Sequence, residues 1–146
     1  MLDLARAKIE VAALTNSIRT DLVDAKGLPY ADGRFSAVMS NSIVHHIPEP
    51  RHVLAESWRV AAPGGVLFFR DLLRPADDAE VQRLVDTYAA GATLHQRQLF
   101  EDSLRAALIL EEIRSLVAEL SLDPSSVTQT SDRHWTWSYR KNSASG

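Results

Sequence analysis

An uninterrupted apolar run from Val66 to Phe69 constrains the fold of this chain more than any other feature of its sequence. The run follows a Pro-Gly-Gly turn at residues 63–65 and precedes the charged pair Arg70 and Asp71. Successive apolar positions are typical of a strand in a parallel sheet that helices cover on both faces. The run therefore predicts a buried parallel strand whose carboxyl end delivers Arg70 and Asp71 to the edge where such sheets bind ligands.

Strands and helices alternate through most of the chain, which predicts an α/β layer fold. Apolar residues recur at three- and four-residue spacing in five stretches, and these predict helices at about residues 2–14, 50–61, 78–90, 95–104 and 110–120. Further strands are predicted at Ile18–Val23 and Ala37–Ser40, and two C-terminal strands at Val127–Thr130 and Trp135–Arg140. In the last of these, Trp135, Trp137 and Tyr139 share one face, which we expect to point into the core; a substrate or subunit contact is the alternative.

Composition excludes several classes of protein. The 146 residues are 45% hydrophobic and 24% charged, as in an ordinary globular domain. The formal net charge is −3 without a run of Lys and Arg, so we expect no nucleic-acid partner. No apolar stretch approaches the ~20 residues of a membrane span, so we expect no membrane partner. There is no cysteine and no secretion-signal pattern, so we expect a cytoplasmic protein.

Residues 24–72 carry an ordered set of motifs. An acid-small pair, Asp24-Ala25, precedes a Leu-Pro-Tyr turn, an Asp-Gly-Arg-Phe motif at 32–35 leads into a strand, and the Pro-Gly-Gly turn opens the next strand. In order and spacing this series resembles the central part of class I S-adenosylmethionine-dependent methyltransferases. The resemblance implies a partial Rossmann-like sheet with flanking helices and a C-terminal antiparallel strand pair, in one domain over residues 1–142. Residues 143–146 are expected to form a disordered tail.

The same resemblance implies S-adenosylmethionine as cofactor and assigns part of its site. Asp24 would accept a hydrogen bond from the exocyclic amine of adenine, with Ala25 beside the ring. Ser40 and Asn41 would line the crevice near the methyl donor. Met1 corresponds to the residues just after the acid that holds the ribose in relatives. The glycine-rich loop and the first two strands of the family have no counterpart in this sequence, so the chain resembles an N-terminally truncated member.

His45 and His46 are the candidate catalytic residues. A histidine titrates near neutral pH, so either could act as general base if the methyl acceptor is a hydroxyl group or an acidic carbon. Packing or loop hydrogen bonds are the alternative. We expect no metal site, because adjacent side chains in a loop point apart and no third ligand has suitable spacing.

Three other features keep two interpretations each. Asp24 also fits a role in bracing its own loop, because aspartate is common in turns. Arg70 and Asp71 could form a salt bridge at the rim of the sheet or orient a substrate. For the Pro-Gly-Gly turn at 63–65 the interpretations are turn chemistry and a ligand contact; turn chemistry is favoured, so the turn supports the fold, not the activity.

The implied function is transfer of a methyl group to a small-molecule acceptor. The alternative is a non-catalytic remnant of the fold that acts as an oligomerising or interaction module. In the resembled sheet, the last strand lies between the two strands before it, and two strands without counterparts here separate Ile18–Val23 from Ala37–Ser40. An unfilled gap would leave backbone groups unpaired and apolar side chains exposed. We therefore expect a homodimer in which Met1 to about Val23 contacts a partner chain.

Overall fold

The computed structural model describes residues 2–143. In this range the helices and strands are α1 Leu2–Val11, β1 Phe35–Asn41, α2 Pro50–Val60, β2 Ala61–Leu72, α3 Asp78–Tyr88, α4 Leu94–Ala106, α5 Leu110–Glu119, β3 Val127–Ser131 and β4 His134–Arg140. Short 3₁₀ turns occupy Val44–His46 and Pro124–Ser126. The predicted α/β fold class is confirmed. No helix in the part of the chain that the structure describes is long and apolar enough to cross a bilayer.

The strands form a four-stranded sheet in the order β1-β2-β4-β3. β1 is parallel to β2, with Val38 opposite Leu67, whereas β4 is antiparallel to both of its neighbours. The last strand in the sequence therefore lies between the two that precede it, as predicted. The C-terminal antiparallel pair is likewise confirmed, and β1 forms one edge of the sheet.

The main core lies on one face of this sheet. Leu67 and Phe69 of β2 and Trp135 and Trp137 of β4 are almost completely buried there. The residues of α2 and α5 that pack in the same cluster are Val53, Leu54, Ile113 and Val117. The predicted inward face of β4 is confirmed, because Tyr139 also packs against this cluster.

The opposite face of β1 and β2 is not covered. Phe68 is 38% exposed and Met39, its partner across the strand pair, is 76% exposed. The expectation that helices cover both faces of residues 66–69 is therefore wrong. Helices α2 and α5 lie against Leu67 and Phe69, α3 and α4 cluster with Leu72 at the end of β2, and α1 has no buried residue.

The N-terminal region is only partly as predicted. A helix is present, but none of its residues is buried, and Leu4 is 63% and Val11 is 90% exposed. The predicted strand at Ile18–Val23 is wrong, because this segment forms neither helix nor strand. A strand requires a hydrogen-bonded neighbour, and none of the strands in residues 2–143 pairs with this segment.

The turn before the buried strand also differs from its prediction. α2 ends at Val60 and β2 begins at Ala61, so the Pro-Gly-Gly turn lies inside β2 and not ahead of it. Gly65 is required at this point, because a Cβ there would lie 2.8 Å from the carbonyl oxygen of Ala62. The early part of β2 therefore follows a path that only a residue without a side chain can take.

A second, smaller apolar cluster holds the α3–α4 hairpin against the end of β2. It contains Leu72, Val81, Leu84, Val85, Ala89, Leu104 and Ala107. α3 begins where the sequence predicts, because the Asp77 side chain accepts a hydrogen bond from the backbone N–H of Glu80 at 2.9 Å. The hairpin therefore lies next to the carboxyl end of β2.

Candidate active site

Three chain segments meet at one edge of the sheet. β1 and β2 are parallel, so both end at this edge, and β4 begins there with His134 opposite Leu72. The loop after β1 is tied to β2 by a hydrogen bond from the Ser42 backbone N–H to the Arg70 carbonyl at 2.9 Å. Polar groups from all three strands are thereby brought together.

The buried carboxylate of Asp71 organises this edge. Its Oδ2 accepts hydrogen bonds from the backbone N–H groups of Ile43 at 2.9 Å and Val44 at 2.6 Å. Its Oδ1 accepts from the Leu72 N–H at 2.7 Å and lies 2.5 Å from Nδ1 of His45. One side chain of β2 therefore fixes both the turn after β1 and the imidazole that this turn carries.

These contacts determine the charge of Asp71. Burial raises the pKa of its carboxyl. The hydrogen bonds from His45, Leu72 and Val44 together lower this pKa by more than burial raises it, so it lies below the ordinary value. Asp71 is therefore ionised at neutral pH and can only accept hydrogen bonds.

The tautomer of His45 follows from that charge. Nδ1 must carry the proton that it donates to Asp71, so in the neutral ring Nε2 holds the free lone pair. The only buried side-chain nitrogen or oxygen without a partner in residues 2–143 is Nε1 of Trp135. Nε2 of His45 also has no protein partner, so it cannot be one of the fully buried atoms. It must therefore reach solvent, although the side chain of His45 is only 4% exposed.

The two predicted histidines differ in their surroundings. His46 is exposed, and its ring centroid lies 4.0 Å from that of His45, whose Nδ1 is the imidazole nitrogen bound to Asp71. His45 alone combines a fixed ring with a free nitrogen, so the geometry favours it as the base. Among residues 2–143 no three His, Asp or Glu side chains are arranged to hold a metal ion.

Arg70 has a partner that the sequence does not predict. The anticipated alternative of an Arg70–Asp71 salt bridge is wrong, because successive strand residues point to opposite faces. The Arg70 guanidinium instead lies 3.1 Å from Nδ1 of His134, which is also 2.8 Å from the Ser131 hydroxyl. Burial, followed by the charges of Arg70 and Arg133, lowers the pKa of His134, so this ring is neutral at pH 7.

The predicted adenine-binding loop is ordered by its own contacts. Oδ1 of Asp24 accepts from the Lys26 backbone N–H at 2.9 Å, and the Asp24 carbonyl accepts from the Gly27 N–H at 3.1 Å. The interpretation of Asp24 as a brace of its own loop therefore has direct support. The Asp24 side chain is nevertheless 66% exposed, and Ala25 packs against the main core. The carboxylate is thus held at the surface, where it can accept further hydrogen bonds.

Ser40 and Asn41 lie at the end of β1, as predicted. With Met39 and Phe68 they line a shallow pocket of about 400 Å³ on the edge side of the sheet. Within residues 2–143 no hydrogen bond joins Asp24 to Ser40 or Asn41, so the loop and the strand remain separate parts of the predicted cofactor site. Met1, the other predicted cofactor residue, lies outside the described residues.

Sequence reasoning missed two groups of residues. The first is His134, which is an ordinary strand residue in the sequence and is marked by no pattern.

The second is an ion pair on α2. Glu56 and Arg59 of α2 form an ion pair beside the loop that carries Asp24, with Nε of Arg59 2.7 Å from Oε1 of Glu56. Their spacing of three residues was the available signal, since such pairs meet on one helix face. The hydrogen bond from Arg59 lowers the pKa of Glu56 to about 2, although its partial burial opposes this.

Comparison with known proteins finds similarity to methyltransferases. A family model described as "Methyltransferase domain" matches residues 1–69. A demethylmenaquinone methyltransferase from Deinococcus radiodurans is 42% identical over 52% of this chain and 31% of its own length. A 27-O-demethylrifamycin SV methyltransferase from Amycolatopsis mediterranei is 29% identical over 80% of this chain and 40% of its own length.

These similarities support a class I S-adenosylmethionine-dependent methyltransferase. A solved structure of an S-adenosylmethionine-dependent methyltransferase from Aquifex aeolicus has a similar fold, with a TM-score of 0.63 at 14% identity. The superposition covers 94% of this chain and 62% of that one. The chain thus spans less than half the length of the two curated relatives and under two thirds of the solved structure.

Proposed function

We propose that this chain carries the adenine and methyl-donor sides of an S-adenosylmethionine site and belongs to an enzyme that methylates a small molecule. The named relatives support this proposal, because demethylmenaquinone and 27-O-demethylrifamycin SV are both small molecules. The same names favour catalysis over the alternative of a non-catalytic interaction module.

The residues present fit part of the cofactor. The exposed carboxylate of Asp24 has the acceptor chemistry that an exocyclic amine requires, and Ala25 has a side chain small enough to leave room beside a ring. Ser40 and Asn41 offer hydroxyl and amide groups on the pocket at the end of β1. Met1 stays a prediction for the ribose side. The sequence provides no glycine-rich GxGxG loop for the methionine part.

The fixed imidazole of His45 is the observation that carries the catalytic part of the proposal. When bound, S-adenosylmethionine supplies a methyl group activated by attachment to a positively charged sulfur. Nε2 of His45 would take the proton that the acceptor releases, and the nearby Asp71 carboxylate would stabilise the resulting imidazolium. His46 would then line the acceptor pocket without taking a proton.

Calorimetric titration with S-adenosylmethionine and S-adenosylhomocysteine tests the cofactor site. We expect weak binding, because each missing hydrogen bond to the ribose and methionine parts removes about 0.5–1.5 kcal/mol. Saturable binding of both compounds at millimolar concentration supports the proposal, and no heat from either compound overturns it for this chain. Micromolar affinity would mean that a second copy completes the site.

We also propose that two copies of this chain associate through β1 and the N-terminal segment at residues 2–23. β1 is an edge strand that carries no charged residue and no proline, although such features usually protect edges. On this strand Met39 is 76% exposed, and in the N-terminal segment Val11 and Leu22 are 90% and 86% exposed. A second copy provides matching apolar surface for each, and exchange of identical segments is a low-cost route to a dimer.

A further inference from the structure

The loop that carries Asp24 is attached to α2 by a pair of charged residues, Glu56 and Arg59. The Arg59 guanidinium donates to the backbone carbonyls of Tyr30 at 2.7 Å and Leu28 at 2.9 Å. It also donates to the Asp32 carboxylate at 2.7 Å. One planar side chain therefore contacts the loop at three points.

Glu56 completes the attachment from the other side. Its Oε1 and Oε2 accept from Nε and Nη2 of Arg59, each at 2.7 Å, which fixes the plane of the guanidinium. Oε2 also accepts from the Leu28 backbone N–H at 2.7 Å. The Arg59 backbone carbonyl accepts from Gly33 N–H at 3.0 Å, where the loop turns with a φ of 66°. Leu28 is thus held at both its N–H and its carbonyl group.

These contacts distinguish the pair from an ordinary surface salt bridge. Arg51 of α2 also forms an ion pair, with its Nε 2.8 Å from Oε2 of Glu119. These two side chains are 48% and 53% exposed and make no hydrogen bond to a loop backbone. Glu56 and Arg59 are only 19% and 31% exposed. Every hydrogen bond that joins residues 24–33 to α2 within the described chain involves Glu56 or Arg59.

We propose that Glu56 and Arg59 are positioning residues that set the Asp24–Ala25 turn for adenine binding. This inference rests on the proposed cofactor role of Asp24. The turn at 24–27 is closed by local hydrogen bonds alone, so its place relative to the sheet depends on the packing of Ala25 and on the attachment of Leu28 that follows it.

The physical reason is preorganisation. A loop that is mobile before binding must be ordered when the ligand binds, and that entropy cost weakens affinity. A rigid guanidinium fork that holds two carbonyls orders the loop in advance, whereas a flexible ammonium cannot hold the same set of acceptors. Arg59 therefore acts on the cofactor through the loop and does not need to touch the cofactor.

The test is an NMR titration of the ¹⁵N-labelled chain with S-adenosylhomocysteine and with adenosine, followed at the amides of Asp24, Ala25 and Lys26. Arg59→Lys keeps the charge but removes the fork, and Glu56→Gln removes the carboxylate that orients it. We expect each variant to bind both probes at least about tenfold more weakly than the parent chain. Arg51→Lys is the matched control, since it alters an ion pair on the same helix, and it should bind like the parent.

A second readout separates positioning from a general loss of structure. Hydrogen exchange at the Leu28 and Gly33 amides should accelerate in Arg59→Lys, while the exchange of β2 amides should stay unchanged. If Arg59→Lys does not fold, the same two measurements are made on Glu56→Gln. Parent-like binding by a folded variant overturns the inference and leaves the cofactor site intact. Absence of any shift at Asp24 in the parent chain overturns the cofactor site itself, and with it this inference.

Discussion

Nδ1 of His45 lies 2.5 Å from Oδ1 of Asp71, across the junction between the turn after β1 and the end of β2. The same carboxylate accepts three backbone N–H groups, so the position of the imidazole depends on the position of the backbone around it. Both side chains are almost completely buried, at 4% and 1% exposure. A change at Asp71 should therefore affect stability and histidine chemistry together.

Asp71→Asn should destabilise the fold and release the His45 ring. An amide has one acceptor oxygen where the carboxylate has two, so at least one buried N–H group loses its partner, at a cost of about 1–3 kcal/mol. Urea denaturation should record a loss in this range. Asp24→Asn provides the control, because it makes the same chemical change at an exposed carboxylate. Equal stability of the parent and Asp71→Asn would contradict the role assigned to this carboxylate.

The ion pair of Glu56 predicts a specific dependence of stability on pH. The pKa of Glu56 falls from 4.5 to about 2 in the folded chain, first because of the hydrogen bond from Arg59. A carboxyl group with a lowered folded pKa stabilises the fold above its unfolded pKa, and this contribution is lost as pH falls towards the folded value. The stabilisation should therefore be complete above pH 4.5 and decline between 4.5 and about 2.

Glu56→Gln isolates this contribution, because glutamine does not titrate. Thermal melts of the parent and the variant at a series of pH values should converge as pH falls below 4.5. Asp71, whose pKa is also lowered, titrates in both proteins and cancels in the difference. A constant difference between the two melting temperatures down to pH 2 would exclude the Glu56 carboxylate as the titrating group.

Local patterns in the sequence predicted the elements whose packing partners lie within this chain. Asp77 caps α3 where the sequence predicts the start of a helix at about residue 78, because a cap requires only neighbouring backbone groups. The stripe of Trp135 and Trp137 was also predictable, since alternation along a strand decides which side chains face the core. The strand prediction for residues 18–23 was wrong for the opposite reason. Their alternation favours a strand, but strand formation depends on a neighbour that local sequence does not specify.

The candidate site was only partly predictable for a similar reason. His45 and Asp71 are both visible in the sequence as polar residues after apolar runs, but nothing in it joins them across 26 positions. The pairing of Arg70 with His134 spans 64 positions and depends on β4 lying beside β2. Spatial partners of this kind require the strand order, which the residues themselves did not reveal without the family resemblance.

Asp24→Asn tests whether the exposed carboxylate recognises adenine. The substitution keeps the size of the side chain and its local hydrogen bond to Lys26, but it removes the charge. A hydrogen bond to a charged acceptor contributes about 1.5–3 kcal/mol, so the affinity for S-adenosylhomocysteine should fall by about tenfold or more. The melting temperature should not change, because the side chain is 66% exposed. Unchanged affinity would assign Asp24 to its turn alone.

The proposed dimer makes a prediction about the edge strand β1. Met39 is 76% exposed there, so Met39→Lys should leave the single chain folded while it places a charge on the pairing surface. Edge strands in natural proteins are protected from association by lysines at such positions. Light scattering at micromolar concentration should give twice the chain mass for the parent and the chain mass for Met39→Lys.

Leu94→Lys is the matched control for that experiment. Leu94 begins α4, outside both β1 and the N-terminal segment, and is 86% exposed, so the same charge there should not affect association. Circular dichroism should give the same helix and strand content for all three proteins.

The proposed exchange of the N-terminal segment makes a separate prediction. Val11 and Leu22 are 90% and 86% exposed, so Val11→Lys and Leu22→Lys should also yield monomers. A parent chain that is monomeric and fully folded would reject the dimer. If Met39→Lys disrupts the dimer but Val11→Lys and Leu22→Lys do not, the contact through β1 is supported and the exchange of the N-terminal segment is rejected.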